Sequence, residues 1–242
     1  MTSSASVPRI PGRGASRAAA IITALGLGAA SLVLSAPAHA ATTIDCGGTD
    51  IQLTTSNEDY VLTGTCLGVS LMGSNLTVSI SSATDLWLVG SNNTVTAGSA
   101  TELVLEGGNN TVSIDSGLTF ATMAGANAHV TVAGAVPSLI VSGSNTTVTA
   151  GPLGTAKFLR NANSTLRAPS ADTVLVQGSN NDVFIGTLRT LTIKGANNLA
   201  KLKKAKKVVV KGANNHVKVA KGRTKVKVSG ANNRIKVKKR IK

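Results

Sequence analysis

Along most of the chain aliphatic residues recur at every second position in two short runs, separated by a turn rich in Gly and Asn. Period-two alternation marks strands that point one face inward. The intervening motif is G-x-N-(N)-x-V, read as GSNLTV at 73, GSNNTV at 90, GGNNTV at 107, GANAHV at 125 and GSNTTV at 143. It continues as GSNNDV at 178, GANNLA at 195, GANNHV at 212 and GANNRI at 230. A degenerate NANSTL fills the gap at 161, and SNEDYV at 56 is a weaker copy, 17 residues before the first. Copies start 17 or 18 residues apart without interruption.

Two positions before each Gly stand Leu71, Leu88, Leu105, Met123, Val141, Leu159, Val176, Ile193, Val210 and Val228. Five after it stand Val78, Val95, Val112, Val130, Val148, Leu166, Val183, Ala200, Val217 and Ile235. A unit of two half-buried strands cannot bury its apolar face alone and must stack on its neighbours. The predicted fold is therefore all-β: a single-domain parallel β-solenoid, or β-helix, of about eleven rungs, with a right-handed coil favoured. At about 4.8 Å per rung it is a rod roughly 50 Å long. Gly or Asn supplies the turn. Asn holds the second position after the Gly in all ten copies, at Asn75, Asn92, Asn109, Asn127, Asn145, Asn163, Asn180, Asn197, Asn214 and Asn232. Stacked, these predict an internal amide ladder, hydrogen-bonded rung to rung. Alternation turns Trp87, Val89, Val104, Ile140, Phe158, Leu175 and Val209 outward, as an interaction or dimer surface or a face covered by the chain's own corners.

The GSNNTV rungs, with a Cys pair and a basic, apolar leader before them, resemble a family of secreted actinobacterial proteins, the domain of unknown function 3060. The resemblance spans residues 44–242. It implies a solenoid and an envelope or extracellular location, and no activity. The Lys-rich last third is a departure from what the family leads one to expect.

The first forty residues read as a secretory signal peptide. Arg9, Arg13 and Arg17 precede an apolar stretch that ends at Ala38, His39 and Ala40, with cleavage expected after Ala40. A retained membrane anchor is the alternative, since the stretch nears spanning length. Residues 41–242 then form the solenoid. Cys46 and Cys66, the only cysteines, are expected to form a disulfide in an exported chain.

Charge divides this solenoid. Residues 41–156 hold eight acidic and no basic side chains, while 157–242 hold 22 basic and two acidic. Lys194, Lys201, Lys203, Lys204, Lys206, Lys207, Lys211, Lys218, Lys221, Arg223, Lys225, Lys227, Arg234 and Lys236 fall on outward or corner positions. They form the candidate polyanion-binding surface, through counterion release and electrostatic steering. The bland alternative is that lysines blunt the open end of the solenoid. Residues 238–242 read as a tail.

Catalytic chemistry is not expected. Rungs of 17 or 18 residues leave no long loops to wall a groove, and the carboxylates form no repeated pair. Glu106 with Asp85 or Glu102 is the nearest approach to a hydrolytic pair. His129 and His216 stand five rungs apart, too far to share a metal or a proton, and calcium-type nonapeptide repeats would need an Asp in each unit. No cofactor or metal is expected. Outward Thr and Ser in the first half, such as Thr94 and Thr96, form a grid like that of ice-binding solenoids, and Thr is equally an ordinary strand residue. The expected role is a secreted, non-enzymatic structural or binding module whose partners are anionic polymers, either cell-envelope polysaccharide or extracellular nucleic acid. A carbohydrate-active β-helix enzyme and a purely structural, self-assembling rod are the alternatives.

Overall fold

The computed structural model describes residues 40–241; the expected signal peptide and anchor lie outside the described residues, apart from Ala40. Twelve coils stack in parallel. Coil 1 is β1 (Thr42–Asp45) and β2 (Ile51–Leu53). Coils 2 to 4 are β3 (Asp59–Leu71), β4 (Thr77–Leu88) and β5 (Thr94–Leu105). Coils 5 to 7 are split in two: β6 (Thr111–Ile114) with β7 (Phe120–Met123), β8 (His129–Val132) with β9 (Val136–Val141), and β10 (Thr147–Ala150) with β11 (Leu153–Phe158). Coils 8 to 12 are β12 (Thr165–Val176), β13 (Asp182–Ile193), β14 (Leu199–Val210), β15 (His216–Val228) and β16 (Arg234–Ile241). The count exceeds the motif count by one because β1 and β2 pair in register with β3 without carrying the motif.

In β4 the inward residues are Val78, Ile80, Ala83, Leu86 and Leu88. Single outward residues separate them except at Ser81–Ser82 and Thr84–Asp85, where two in succession face out and the chain bends. A third bend is the Gly-Asn turn. Large and small residues compensate within a coil: Phe158 is fully buried where Ala150 and Ala156 leave room for it. Cys46 and Cys66 are joined as expected, with a Cα–Cα distance of 4.9 Å, and they clasp coil 1 to coil 2 inside the core.

Gly and Asn divide the work of the turn. Asn57, Asn75 and the nine later Asn at the second position all adopt left-handed backbone, with φ between 55° and 61°, a conformation that Asn tolerates better than other side chains do. The Gly ahead of them answers a different demand. A Cβ at Gly195 or Gly212 would collide with the carbonyl oxygen of Gly178 or Gly195 in the preceding coil, so these turns leave no room for a side chain.

Several sequence readings change. The ten second-position Asn are exposed, so they do not form an internal ladder. They do form an external one in part: Nδ2 of Asn75 donates to Asn57 Oδ1 at 2.9 Å, and Asn109, Asn127 and Asn145 each donate to the Asn before. The internal ladder is built by the next residue along. Asn93, Asn110, Asn181, Asn198 and Asn215 are buried. Asn198 Oδ1 accepts the backbone N–H of Asn181 at 2.9 Å, and its Nδ2 donates to Gly178 O at 3.0 Å. Each buried amide therefore ties its turn to the one below. The amides lapse between: Ala128 interrupts the ladder, while Thr146 and Ser164 carry it on through hydroxyls, Ser164 Oγ accepting the Thr146 N–H at 3.1 Å and donating to Gly143 O at 3.3 Å.

Registers shift locally too. Phe158, not Leu159, pairs with Val141 and Val176 on the inward face, because Arg160 takes a left-handed φ of 56° and absorbs an extra residue. Lys157 takes the outward place expected of Phe158. The weakest copy starts at Thr55, since Tyr60 pairs with Val78. Residues 238–241 are not a tail: Lys239, Arg240 and Ile241 pair with Arg223, Thr224 and Lys225 in the last coil.

Candidate functional site

All fourteen candidate cations are exposed, because strand alternation gives the aliphatic partners of each Lys the inward positions. Parallel in-register pairing then lines them up. Lys201, Lys218 and Lys236 form one column through coils 10 to 12. Lys204 pairs with Lys221, and Lys207 with Lys225, so two further columns run along the bends, with Lys203, Lys206 and Arg223 beside them. Lys227 stands next to Val209 in the following column, while Lys194 and Lys211 precede their turns. Arg234 stacks on His216. Like charges thus repeat at about 4.8 Å.

None of the fourteen pairs with a carboxylate among the described residues. Among the described residues one ion pair forms, Arg189 to Asp172 at 3.1 Å, with both side chains well exposed, outside the candidate set. A face carrying charges of one sign with none to neutralise them projects a strong positive potential.

The surface is larger than the fourteen. Lys239 and Arg240 join it because β16 continues to Ile241; the alternation stops at Val237, so sequence pattern gave no signal for them. At the other end, Arg167 and Phe184 continue the Lys201 column. The Arg167 guanidinium lies 4.3 Å and the Lys201 ammonium 5.6 Å from the Phe184 ring centroid, so the ring is held between two cations. Spacing alone does not reveal that contact.

The readings about chemistry also find their places. Asp85 and Glu102 are in-register neighbours, and Glu106 lies four residues on from Glu102, beyond the strand. His129 and His216 stand in coils 6 and 11. No cluster of three or more His, Cys, Asp or Glu positioned for a metal occurs among the described residues.

Residues 54–110 and 193–240 match the model of a family described as protein of unknown function (DUF3060). The two matched stretches lie toward the two ends of the solenoid, and the second takes in the Lys-rich coils. The match is narrower than the 44–242 resemblance, and the stretch left out, 111–192, holds the split coils and the lapse in the buried amide ladder. No curated protein and no solved structure matches the chain.

Proposed function

We propose that this protein is a secreted, non-enzymatic binding module that holds anionic envelope or extracellular polymers against the basic columns of coils 10 to 12. The observation that carries this reading is the in-register stacking of Lys201, Lys218 and Lys236 beside Lys204, Lys221, Lys207 and Lys225. A polymer with regularly spaced negative groups can engage such a lattice at many points and release counterions at each. The rigid strands mean that little side-chain carrier backbone has to be ordered on binding. A cysteine pair joined in a disulfide fits an oxidising compartment, in keeping with the basic and apolar leader.

End-blunting lysines would account for β16, the open edge, but not for Lys201 to Lys211, two coils further in. The test is retention on heparin and phosphocellulose at low salt. The expected result is strong retention whose logarithm falls linearly with the logarithm of salt concentration, with a slope reflecting several contacts. Absence of retention at low salt refutes the reading.

A further inference from the structure

We propose that one flat face of the rod is self-complementary and pairs two copies side by side, antiparallel, about a two-fold axis crossing coil 7. The face consists of two outward columns. One runs Asp85, Glu102, Phe120, Ser138, Thr155, Thr173, Thr190, Lys207, Lys225. The other runs Trp87, Val104, Thr122, Ile140, Lys157, Leu175, Thr192, Val209, Lys227 through the same pairings.

A two-fold axis in the plane of the interface and perpendicular to the rod reverses the order of coils but keeps each column opposite itself. With the axis at Thr155 and Lys157, coil 3 meets coil 11 of the second copy and coil 4 meets coil 10. Asp85 then faces Lys225, Glu102 faces Lys207 and Trp87 faces Lys227. Val104 meets Val209, Ile140 meets Leu175, and Thr122 meets Thr192. Beside these columns Glu106 faces Lys211. Acid meets base, aliphatic meets aliphatic, and a ring meets an ammonium, in a match that the symmetry makes twice.

Two further observations favour a second copy as the occupant. Trp87 is 50% exposed at an open groove of about 530 Å³ lined by Asp50, Met72, Asp85 and Val89, where the second copy's Lys225 and Lys227 arrive. The face is also large enough: about 50 Å of rod by five strand residues, or about 15 Å, gives roughly 1,500 Å² for the two copies together, the size of a stable specific interface. One contact opposes the pairing, for the two Lys157 meet on the axis and must splay on their long stems.

Sedimentation velocity of the full chain at micromolar concentration tests the proposal. The expected result is a species of twice the monomer mass at low salt that dissociates as salt rises. An isologous contact closes at two, so mass that keeps growing with concentration overturns the proposal, as does a monomer at low salt. Asp85→Lys with Glu102→Lys should weaken the dimer by on the order of tenfold or more. Adding Lys225→Asp and Lys207→Glu to the same chain should restore it, and failure to restore it in a chain with wild-type circular dichroism refutes the pairing. Lys157→Leu should tighten it. The dimer takes Lys207 and Lys225 out of the polymer-binding surface but leaves the Lys201, Lys218 and Lys236 column open, so a dimer that forms in a protein with no affinity for heparin leaves this inference standing and removes only the proposed function.

Discussion

Coils 2 to 4 and coils 10 to 12 are built on one backbone and carry opposite surfaces. Both have the left-handed Asn in every coil, Gly ahead of it in coils 3 and 4 as in coils 10 to 12, and a buried amide that ties turn to turn, Asn93 in coil 4 and Asn198 and Asn215 in coils 10 and 11. Yet Ser79 and Thr96 in the first region correspond to Lys201, Lys218 and Lys236 in the second, and Asp85 and Glu102 share a column with Lys207 and Lys225. The inward columns and the turn specify the coil, which leaves the outward columns free to take any charge. Fold and surface are therefore separable to a degree unusual in a globular domain, where one side chain often serves both.

That separation can be broken first through the parts the regions share. Reduction of Cys46–Cys66, or Cys46→Ser, should cost about 3 kcal/mol, as expected for a closed loop of this length, measured by denaturant unfolding with and without reductant. Asn198→Ala removes the acceptor for the Asn181 N–H and the donor to Gly178 O, both buried, and should cost about 2 to 3 kcal/mol. The neighbouring exposed Asn197→Ala mainly places a less tolerant residue at left-handed φ and should cost about 1 kcal/mol. Equal losses from the two would mean that the division of work between adjacent amides is wrong.

Outward changes should move binding and spare the fold. The triple substitution Lys201→Glu, Lys218→Glu and Lys236→Glu should abolish most heparin retention at moderate salt while shifting unfolding by less than about 1 kcal/mol. Grafting the column onto the acidic half, as Ser79→Lys, Thr96→Lys and Ser113→Lys, should leave circular dichroism and stability within about 1 kcal/mol of wild type. Asn161→Gly is the mildest test. Asn161 is buried in the Gly column with its Nδ2 unpartnered, and its Oδ1 accepts from Asn181 Nδ2 at 3.3 Å; with Gly at 161 the backbone carbonyl can take that bond as Gly178 O does for Asn198, so the change should stay within about 1 kcal/mol of wild type.

The alternation and the 17-residue beat made most of the fold legible, because burying one face of a coil demands them at every rung. Legibility failed where two demands fell on adjacent residues. The first Asn of each turn is invariant across the copies, which suggests the core, but the invariance comes from its backbone conformation at an exposed position. The second is the buried one, and it varies to Leu76, Ala128, Thr146 and Ser164 because each of these can fill the same inward place. Insertions were the other blind spot: Arg160 looks like any surface cation, yet its left-handed φ decides that Phe158 and not Leu159 enters the core. For the candidate surface, exposure followed from alternation, whereas the Arg167–Phe184–Lys201 stack depended on which rungs are neighbours.

The disulfide sits at one end of a stack in which paired strand residues stand 16 to 18 positions apart. Contacts at so short a range make each coil a mould for the next, so the array can grow in one direction from a seed. The covalent clasp around coils 1 and 2 makes the first-synthesised end that seed. Coil 12, farthest from the clasp, is then the last of the twelve to form.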